Sequence, residues 1–417
     1  MSSPFRALRS RNYRLFFIGQ GISLIGTWMT RLATSWLVYR VTKSAFLLGV
    51  VNFAGQLPAF FIPPVAGVWL DRWDRHRVLV ITQVLAMVQS LAMAALTLTG
   101  HISITWVVLL TLFQGIITAI EIPTRQSFVI TMIEDRRDLG NAIALNSSNF
   151  NSARLVGPAI AGVVVAAVGE GYCFLIDGLS YIAVIAGLLA MRLTKVERPR
   201  IHREVWHELS EGWTYLVGFA PLRNVLIFLA VIGIVSAPYA VLTPMIAGQT
   251  LNGGPDTLGL LMAASGIGAL ICALGLVMRK AGSALVGPMT VAMAVFGVGC
   301  AALGLSKSLW ASALLMAITG YGLMNQIVAT NTIVQTVVDD DKRGRVMAFY
   351  TIALLGSAPI GSLLGGSLAA RVGVPATFVV SGIACLATTA WFWRQNAEIN
   401  HALESKHVEL GIAAEGA

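Results

Sequence analysis

The sequence predicts an all-α membrane protein: twelve transmembrane helices arranged as two pseudo-symmetric six-helix halves. Three observations lead there. The chain has 417 residues, of which 56% are hydrophobic and only 12% charged, against about 25% charged in an ordinary soluble chain. The charges are clustered, leaving uncharged stretches over 44–70, 78–120, 224–255, 257–278, 281–306, 308–338, 346–370 and 372–393. Each is long enough for the roughly 20 apolar residues that cross a bilayer. Finally, the two halves of the chain echo each other in register.

The spans follow in order. The first, 14–40, rises out of the arginines Arg6, Arg9, Arg11 and Arg14, and the second occupies 45–70. Residues 78–120 hold too much apolar length for one crossing. The polar tetrad Gly100-His101-Ile102-Ser103 divides them into spans at 78–99 and 104–124. Spans five and six fall at 139–168 and 172–192. After them, 193–223 is the longest polar stretch. Pro199 breaks it, and Val205, Leu209, Trp213 and Leu216 then recur at helical spacing opposite Arg203, Glu204, Glu208 and Glu211. This is an amphipathic helix, expected to lie along the cytoplasmic membrane surface. Six more spans follow, at 224–248, 257–278, 284–305, 309–332, 346–370 and 374–393. The predicted organisation is an N-terminal bundle over 1–192, a cytoplasmic linker over 193–223, a C-terminal bundle over 224–393 and a cytoplasmic tail over 394–417.

The repeat is visible in particular residues. Asp135, Gly140, Ala144, Gly157, Gly162, Ala166, Val168 and Gly169 meet Asp339, Gly344, Ala348, Gly361, Gly366, Ala370, Val372 and Gly373 at one constant offset. A second echo pairs Gly67, Asp71 and Arg72 with Gly275, Arg279 and Lys280. Six-span halves of like orientation are parallel repeats, and such carriers bind substrate near the midplane between the halves.

The net charge of +9 is a topology signal. Nearly all lysines and arginines outside the spans fall on one set of loops, while the alternate loops hold only Arg40, Lys43, Lys307 and Arg371. The positive-inside rule puts both termini in the cytoplasm. No basic-aromatic module for nucleic acid accompanies the charge. Cys173, Cys272, Cys300 and Cys385 fall singly in four spans and read as small packing residues. The first apolar segment outruns a signal-peptide core and is expected to stay as a helix.

Several motifs suggest movement. The loop Gly67-Val-Trp-Leu-Asp71-Arg72-Trp-Asp74-Arg75-His-Arg77 combines a small residue, an acid at a helix end and a basic anchor. It resembles the loop 2–3 signature of the major facilitator superfamily, with Asp74 where glycine is usual. The resemblance implies a cytoplasmic latch in which Asp71 braces span eleven and Arg72 and Arg75 complete the charge network. Span five carries Asn151, Arg154, Gly157, Pro158 and Gly162, and span eleven carries Gly356, Pro359, Gly361, Gly365 and Gly366. Glycine thins a helix for close packing and proline kinks it. The span-five pattern is similar to the glycine-proline signature of exporters in that superfamily. The N-terminal RNYRLFFIGQ and the stretches EIPTRQSF and LGNAIALNSSNFNSARLVGPAIAG resemble the subgroup of siderophore exporters and macrolide-efflux proteins, across nearly the whole chain. Thr27 stands where many members of that subgroup carry an acid.

Charges inside the membrane are expensive and mark function or structural pairing. They are confined to the first half: Arg31, Arg154 and Asp177, with Glu121 near the cytoplasmic end of span four. At about 1.5 Å per residue, Arg31 lies about 12 Å and Asp177 about 8 Å from the outer ends of their spans. One expectation is that Asp177 neutralises one arginine and leaves the other to meet an anionic group of the substrate; the alternative is a structural salt bridge. Glu121 is the proton-carrier candidate, or else pairs with Arg125 one turn on. Gln20, Asn52, Gln56, Gln114, Asn325 and Gln326 either line a cavity or hold helices together. Ser265 and Asn331 add further polar groups to the second half.

No phosphate-binding loop, nucleophile elbow or zinc-protease motif is present in the sequence, so no enzyme activity, cofactor or metal is expected. The resemblance implies a secondary transporter in a bacterial inner membrane. It would export amphipathic small molecules, drug- or siderophore-like, by alternating access with proton antiport; the intramembrane arginines add the expectation of an anionic group on them. The alternative is a lysophospholipid or other lipid carrier of the same fold; a third class is a membrane scaffold.

Overall fold

The computed structural model describes residues 5–62, 73–192, 205–277, 285–339 and 342–409. Among them the regular structure is helical. The first six long helices are α1 (Arg11–Thr42), α2 (Ala45–Gln56), α3 (Arg75–Leu98), α4 (Ile104–Met132), α5 (Leu139–Val168) and α6 (Glu170–Leu189). A shorter helix, α7 (Val205–Gly218), precedes α8 (Ala220–Val241), α9 (Pro255–Val277), α10 (Val286–Leu305), α11 (Leu309–Val337), α12 (Arg343–Val372) and α13 (Val374–Trp393). The described chain closes with α14 (Asn396–Glu409).

Local chemistry sets the helix ends. Ser44, Asp74 and Ser103 are N-caps whose side chains accept backbone hydrogen bonds at the starts of α2, α3 and α4. α5 and α12 both end on glycines with positive φ, Gly169 at 91° and Gly373 at 84°, a conformation open mainly to glycine. The repeated Val-Gly exit in the sequence is therefore a shared helix stop.

Eleven of the described helical segments are long and apolar enough to cross a membrane. α1 falls outside that set although it has 32 residues, because Gln20, Thr27, Thr30 and Arg31 dilute its apolar run. The total is compatible with twelve spans.

Two compact units emerge. The first comprises Met1–Ile201 with Ala247–Ala263, and the second His202–Ile246 with Ala264–Ala417. In the first unit α1 packs on α5 and α6, α3 on α4 and α6, and α2 on α4. In the second unit the corresponding helices repeat the pattern: α8 packs on α12 and α13, and α10 on α11 and α13. Glycine-backbone contacts join α2 to α4 at Gly55 and Gly115, and α9 to α11 at Gly268 and Gly320. Small residues give membrane helices the close approach that lipid cannot drive.

α7 is fastened to α12. Glu211 pairs with Arg345 at 2.7 Å, the Tyr215 hydroxyl donates to Asp339 at 3.4 Å, and the Trp213 and Phe349 rings lie 5.8 Å apart. The sequence suggested a helix lying along the membrane. Its polar face finds protein partners, while the apolar Trp213 and Val217 stay exposed. α14 likewise buries Ile399 and Leu403, packing on α8, α10 and α11.

Candidate functional site

The candidate site is built on α1 and α5 of the first unit. Trp28 and Arg31 are three residues apart on α1, so they share a face. Phe150, Arg154 and Gly157 fall on one stripe of α5 at i, i+4 and i+7. The two stripes meet at Gly157, where an added Cβ would lie 2.5 Å from the Trp28 Cβ and 3.0 Å from the Ile25 carbonyl. Having no side chain there lets α5 press against α1. The Arg31 guanidinium sits over the Trp28 ring, 4.7 Å from its centroid, and that of Arg154 lies 6.0 Å from the same centroid. Phe150 meets the indole edge-on at 5.7 Å. Each cation–π contact contributes roughly 0.5–2 kcal/mol. Arg31 is exposed and Arg154 half-buried. The arrangement concentrates positive charge beside an aromatic surface, which is the chemistry that receives an amphipathic anion.

Asp177 lies next door, on α6. It is 2% exposed and accepts hydrogen bonds at Oδ2 from Thr30 of α1 and Ser90 of α3, each at 2.9 Å. Its Oδ1 is buried without a hydrogen-bond partner among the described residues. The helix α1 comes close because position 26 is glycine: a Cβ there would sit 2.7 Å from Asp177 Oδ1. The expected Asp177–arginine pair does not form. Hydroxyls from two neighbouring helices reach the carboxylate, and Arg31 turns to Trp28. No sequence spacing on α6 alone announces that exchange.

Glu121 pairs with Arg125 at 3.4 Å, one turn on, which is the second of its two expected arrangements. Gln20 is buried, and its Oε1 and that of Gln114 have no hydrogen-bond partner among the described residues. Asn52 and Gln56 donate to carbonyls of their own helix, Leu48 and Asn52. Asn325 and Gln326 lie in the second unit and are 2% exposed. In the same unit the Tyr239 hydroxyl donates to Ser265 at 2.7 Å, and Asn331 accepts from Gln335.

Of the latch residues, Gly67, Asp71 and Arg72 lie outside the described residues, while Arg75 donates to the Ser127 carbonyl at 3.3 Å. Gly162 meets the start of α9, where an added Cβ would lie 3.0 Å from the Gly259 Cα. Pro158 is buried inside α5, and its carbonyl faces Gly259. In the second unit Pro359 is buried inside α12, and Gly361 abuts Ile234 and Ala237 of α8. Sequence reasoning missed Trp28, Thr30 and Ser90. The i, i+3 relation of Trp28 to Arg31 was a usable signal for the first; nothing marked the two hydroxyls.

Among the described residues no group of three His, Cys, Asp or Glu side chains is placed to hold a metal ion.

Apolar helices of membrane-spanning length packed in a repeated pattern are those of a membrane transporter of the major facilitator type. The chain belongs to the transmembrane secretion effector family, whose profile matches residues 2–409. It is similar to the staphyloferrin A transporter of Staphylococcus aureus, 27% identical over 94% of this chain and 98% of that one. It is also similar to the multidrug efflux pump Tap of Mycolicibacterium fortuitum, 26% identical over 87% of this chain and 90% of that one. Among solved structures, a POT family transporter in complex with a thioalcohol-conjugated peptide aligns with TM-score 0.74 at 11% identity, covering 93% of this chain and 96% of that one. That likeness concerns the fold alone. The relatives are efflux and secretion transporters of siderophores and drugs, and they lend no support to the lipid-carrier alternative.

Proposed function

We propose that this chain exports an amphipathic small molecule carrying an anionic group across a bacterial inner membrane, by alternating access and in exchange for protons. The observation that carries the reading is the pair of guanidinium groups flanking Trp28. Two arginines at one aromatic surface inside the membrane suit a ligand with a flat apolar part and a carboxylate or similar anion. The names of the relatives, a siderophore transporter and a multidrug pump, agree with a small-molecule cargo. The charge asymmetry of the loops supports cytoplasmic termini. The loop around Asp71, Arg72 and Arg75 is proposed as the cytoplasmic latch, and the glycine-proline faces of α5 and α12 as the surfaces that slide during transport.

The test uses inside-out proteoliposomes loaded by an imposed pH gradient, acid inside. A carboxylated xanthene dye and its uncharged analogue are compared. The wild-type protein is expected to accumulate the anionic dye when the gradient is present. Arg31→Gln should raise the KM for the anionic dye about tenfold while changing that for the neutral analogue less than twofold, the contrast expected when one charge contact is removed. Equal effects on both dyes would overturn the anion assignment, and an unresponsive wild type would overturn proton exchange.

A further inference from the structure

We propose that Asp177 is the proton-exchange site of this transporter, and that its protonation state is transmitted to Arg31 through the hydrogen bond from Thr30. This rests on the antiport reading above and names the group that performs it.

The geometry has three parts. Asp177 is 2% exposed, yet it has no cationic partner among the described residues; its only hydrogen bonds come from two hydroxyls. Hydroxyls, unlike an arginine or lysine, can hydrogen-bond a carboxyl in either of its forms, so no ion pair commits the site to one of them. The unpartnered Oδ1 is the atom on which a proton resides. Lastly, the donor Thr30 is the immediate neighbour of Arg31, on a helix pressed onto Asp177 at Gly26.

The groups facing Asp177 are few. On its own helix, Cys173 lies one turn before it and Tyr181 one turn after, and Tyr181 is in polar contact with Thr27 and Gln114. From α3 it accepts from Ser90 and from α1 it accepts from Thr30, with Arg31 directed onto Trp28. Among the described residues Arg154 of α5 also stands beside Trp28, and two acids act electrostatically on the neighbours of Asp177: Glu121 of α4 on Tyr181 and Glu170 of α6 on Cys173.

The direction of coupling follows from hydrogen-bond strength. An ionised carboxylate holds hydroxyl donors about twice as strongly as a neutral one. With Asp177 ionised, Thr30 is drawn onto α6 and the following residue, Arg31, is fixed beside Trp28 to receive the anion. With Asp177 protonated, that hold weakens and Arg31 loses its preset position. Proton and substrate then exclude each other, as exchange requires. Direct Coulomb coupling would act in the opposite sense, because an anion at the arginines would draw a proton onto Asp177. The two routes are separated by the sign of the proton change on binding.

The experiment combines binding and transport of the carboxylated dye. In weakly buffered solution, wild-type protein is expected to release protons when the dye binds, and its affinity should fall as pH is lowered. Asp177→Asn should bind the dye about tenfold more weakly, one charged hydrogen bond's worth, with no pH dependence. At saturating dye it should still catalyse equilibrium exchange but ignore an imposed pH gradient. Thr30→Val keeps the carboxyl and removes the link. Asp177 should still titrate, shifted toward the protonated form because one donor to the carboxylate is gone, while dye affinity no longer follows pH, and a melting temperature near wild type excludes a folding defect. Proton uptake on dye binding, or gradient-driven accumulation retained in Asp177→Asn, would overturn the assignment. If the wild type itself ignores the gradient, the antiport reading fails; if the wild type responds and Asp177→Asn responds equally, only the present inference fails.

Discussion

Replacing Gly157 by alanine tests whether the α1–α5 contact builds the site. The added methyl carbon would sit 2.5 Å from the Trp28 Cβ and 3.0 Å from the Ile25 carbonyl oxygen, whereas carbon atoms rest at about 3.5–4.0 Å. The helices must part by roughly 1 Å at this point. α1 has little room to retreat, because its other side is already against α6. There, Cβ atoms at Gly19 and Gly26 would lie 2.9 Å from the Val184 Cα and 2.7 Å from Asp177 Oδ1. Overpacking of this kind destabilises by about 1–3 kcal/mol, and the opposed contact places Gly157→Ala toward the upper end. Displacing Trp28 also disturbs both guanidinium contacts, so dye affinity should fall roughly tenfold, about 1.4 kcal/mol, within the cation–π range. Melting of the purified protein followed by tryptophan emission reads the first effect, and equilibrium dye binding the second. A variant as stable and as tight-binding as wild type would refute the claim that the bare backbone at Gly157 sets the spacing.

Other consequences are quicker to state. Glu121→Gln removes the half-buried carboxylate of an i, i+4 pair with Arg125, a pairing worth about 0.2–0.5 kcal/mol on a helix, so its melting temperature should move little and its response to a pH gradient should persist; loss of that response would transfer the proton site to Glu121. Arg40 makes a two-point pair with Glu170, at 2.7 and 3.2 Å, and the Glu170 side chain is 6% exposed against 54% for Arg40. Arg40→Gln therefore strands a nearly buried carboxylate and should destabilise by about 1–3 kcal/mol, nearer 1 because water reaches the arginine side. Arg40→Gln with Glu170→Gln should recover most of that, and an equally unstable double variant would disprove the charge origin of the loss. In the loop before α5, hydrogen bonds from Arg137 hold the Asp135 carboxyl below the usual carboxylate range. A depressed folded-state value stabilises the loop above the unfolded carboxylate range, and the effect disappears as pH falls through the folded-state value. Hydrogen exchange of the Arg137 amide should stay protected at mildly acidic pH and open only in stronger acid; early opening would contradict the pairing.

Much of the fold was legible because bilayer thickness imposes a length on every span. The starts of α2, α11 and α13 fall where uncharged runs begin, the start of α4 follows the polar tetrad at 100–103, and Ser44 and Ser103 cap α2 and α4. Gly157, Gly162, Gly361 and Gly365 sit where a Cβ would meet a neighbouring helix, the kind of position where small residues at helical spacing are used in a membrane. Neighbour identity was harder. Periodicity reports which residues share a face, as with Trp28 and Arg31, but it does not report what lies opposite. Thr30 and Ser90 occupy different helices, and only packing of α1 and α3 on α6 brings both to Asp177. For the same reason the destination of α7 was hidden: an amphipathic pattern predicts one apolar face, while the Glu211–Arg345 contact depends on where α12 begins.

The assignment of Ala247–Ala263 to the first unit has a practical corollary for anyone dissecting this molecule. The polypeptide leaves that unit, returns to supply the beginning of α9, and departs again, so the Gly162 surface is completed by sequence from beyond the linker. A fragment ending near residue 200 would expose a thinned, glycine-bearing strip of α5 to detergent. Severing the chain there should thus yield halves that survive purification only when expressed together.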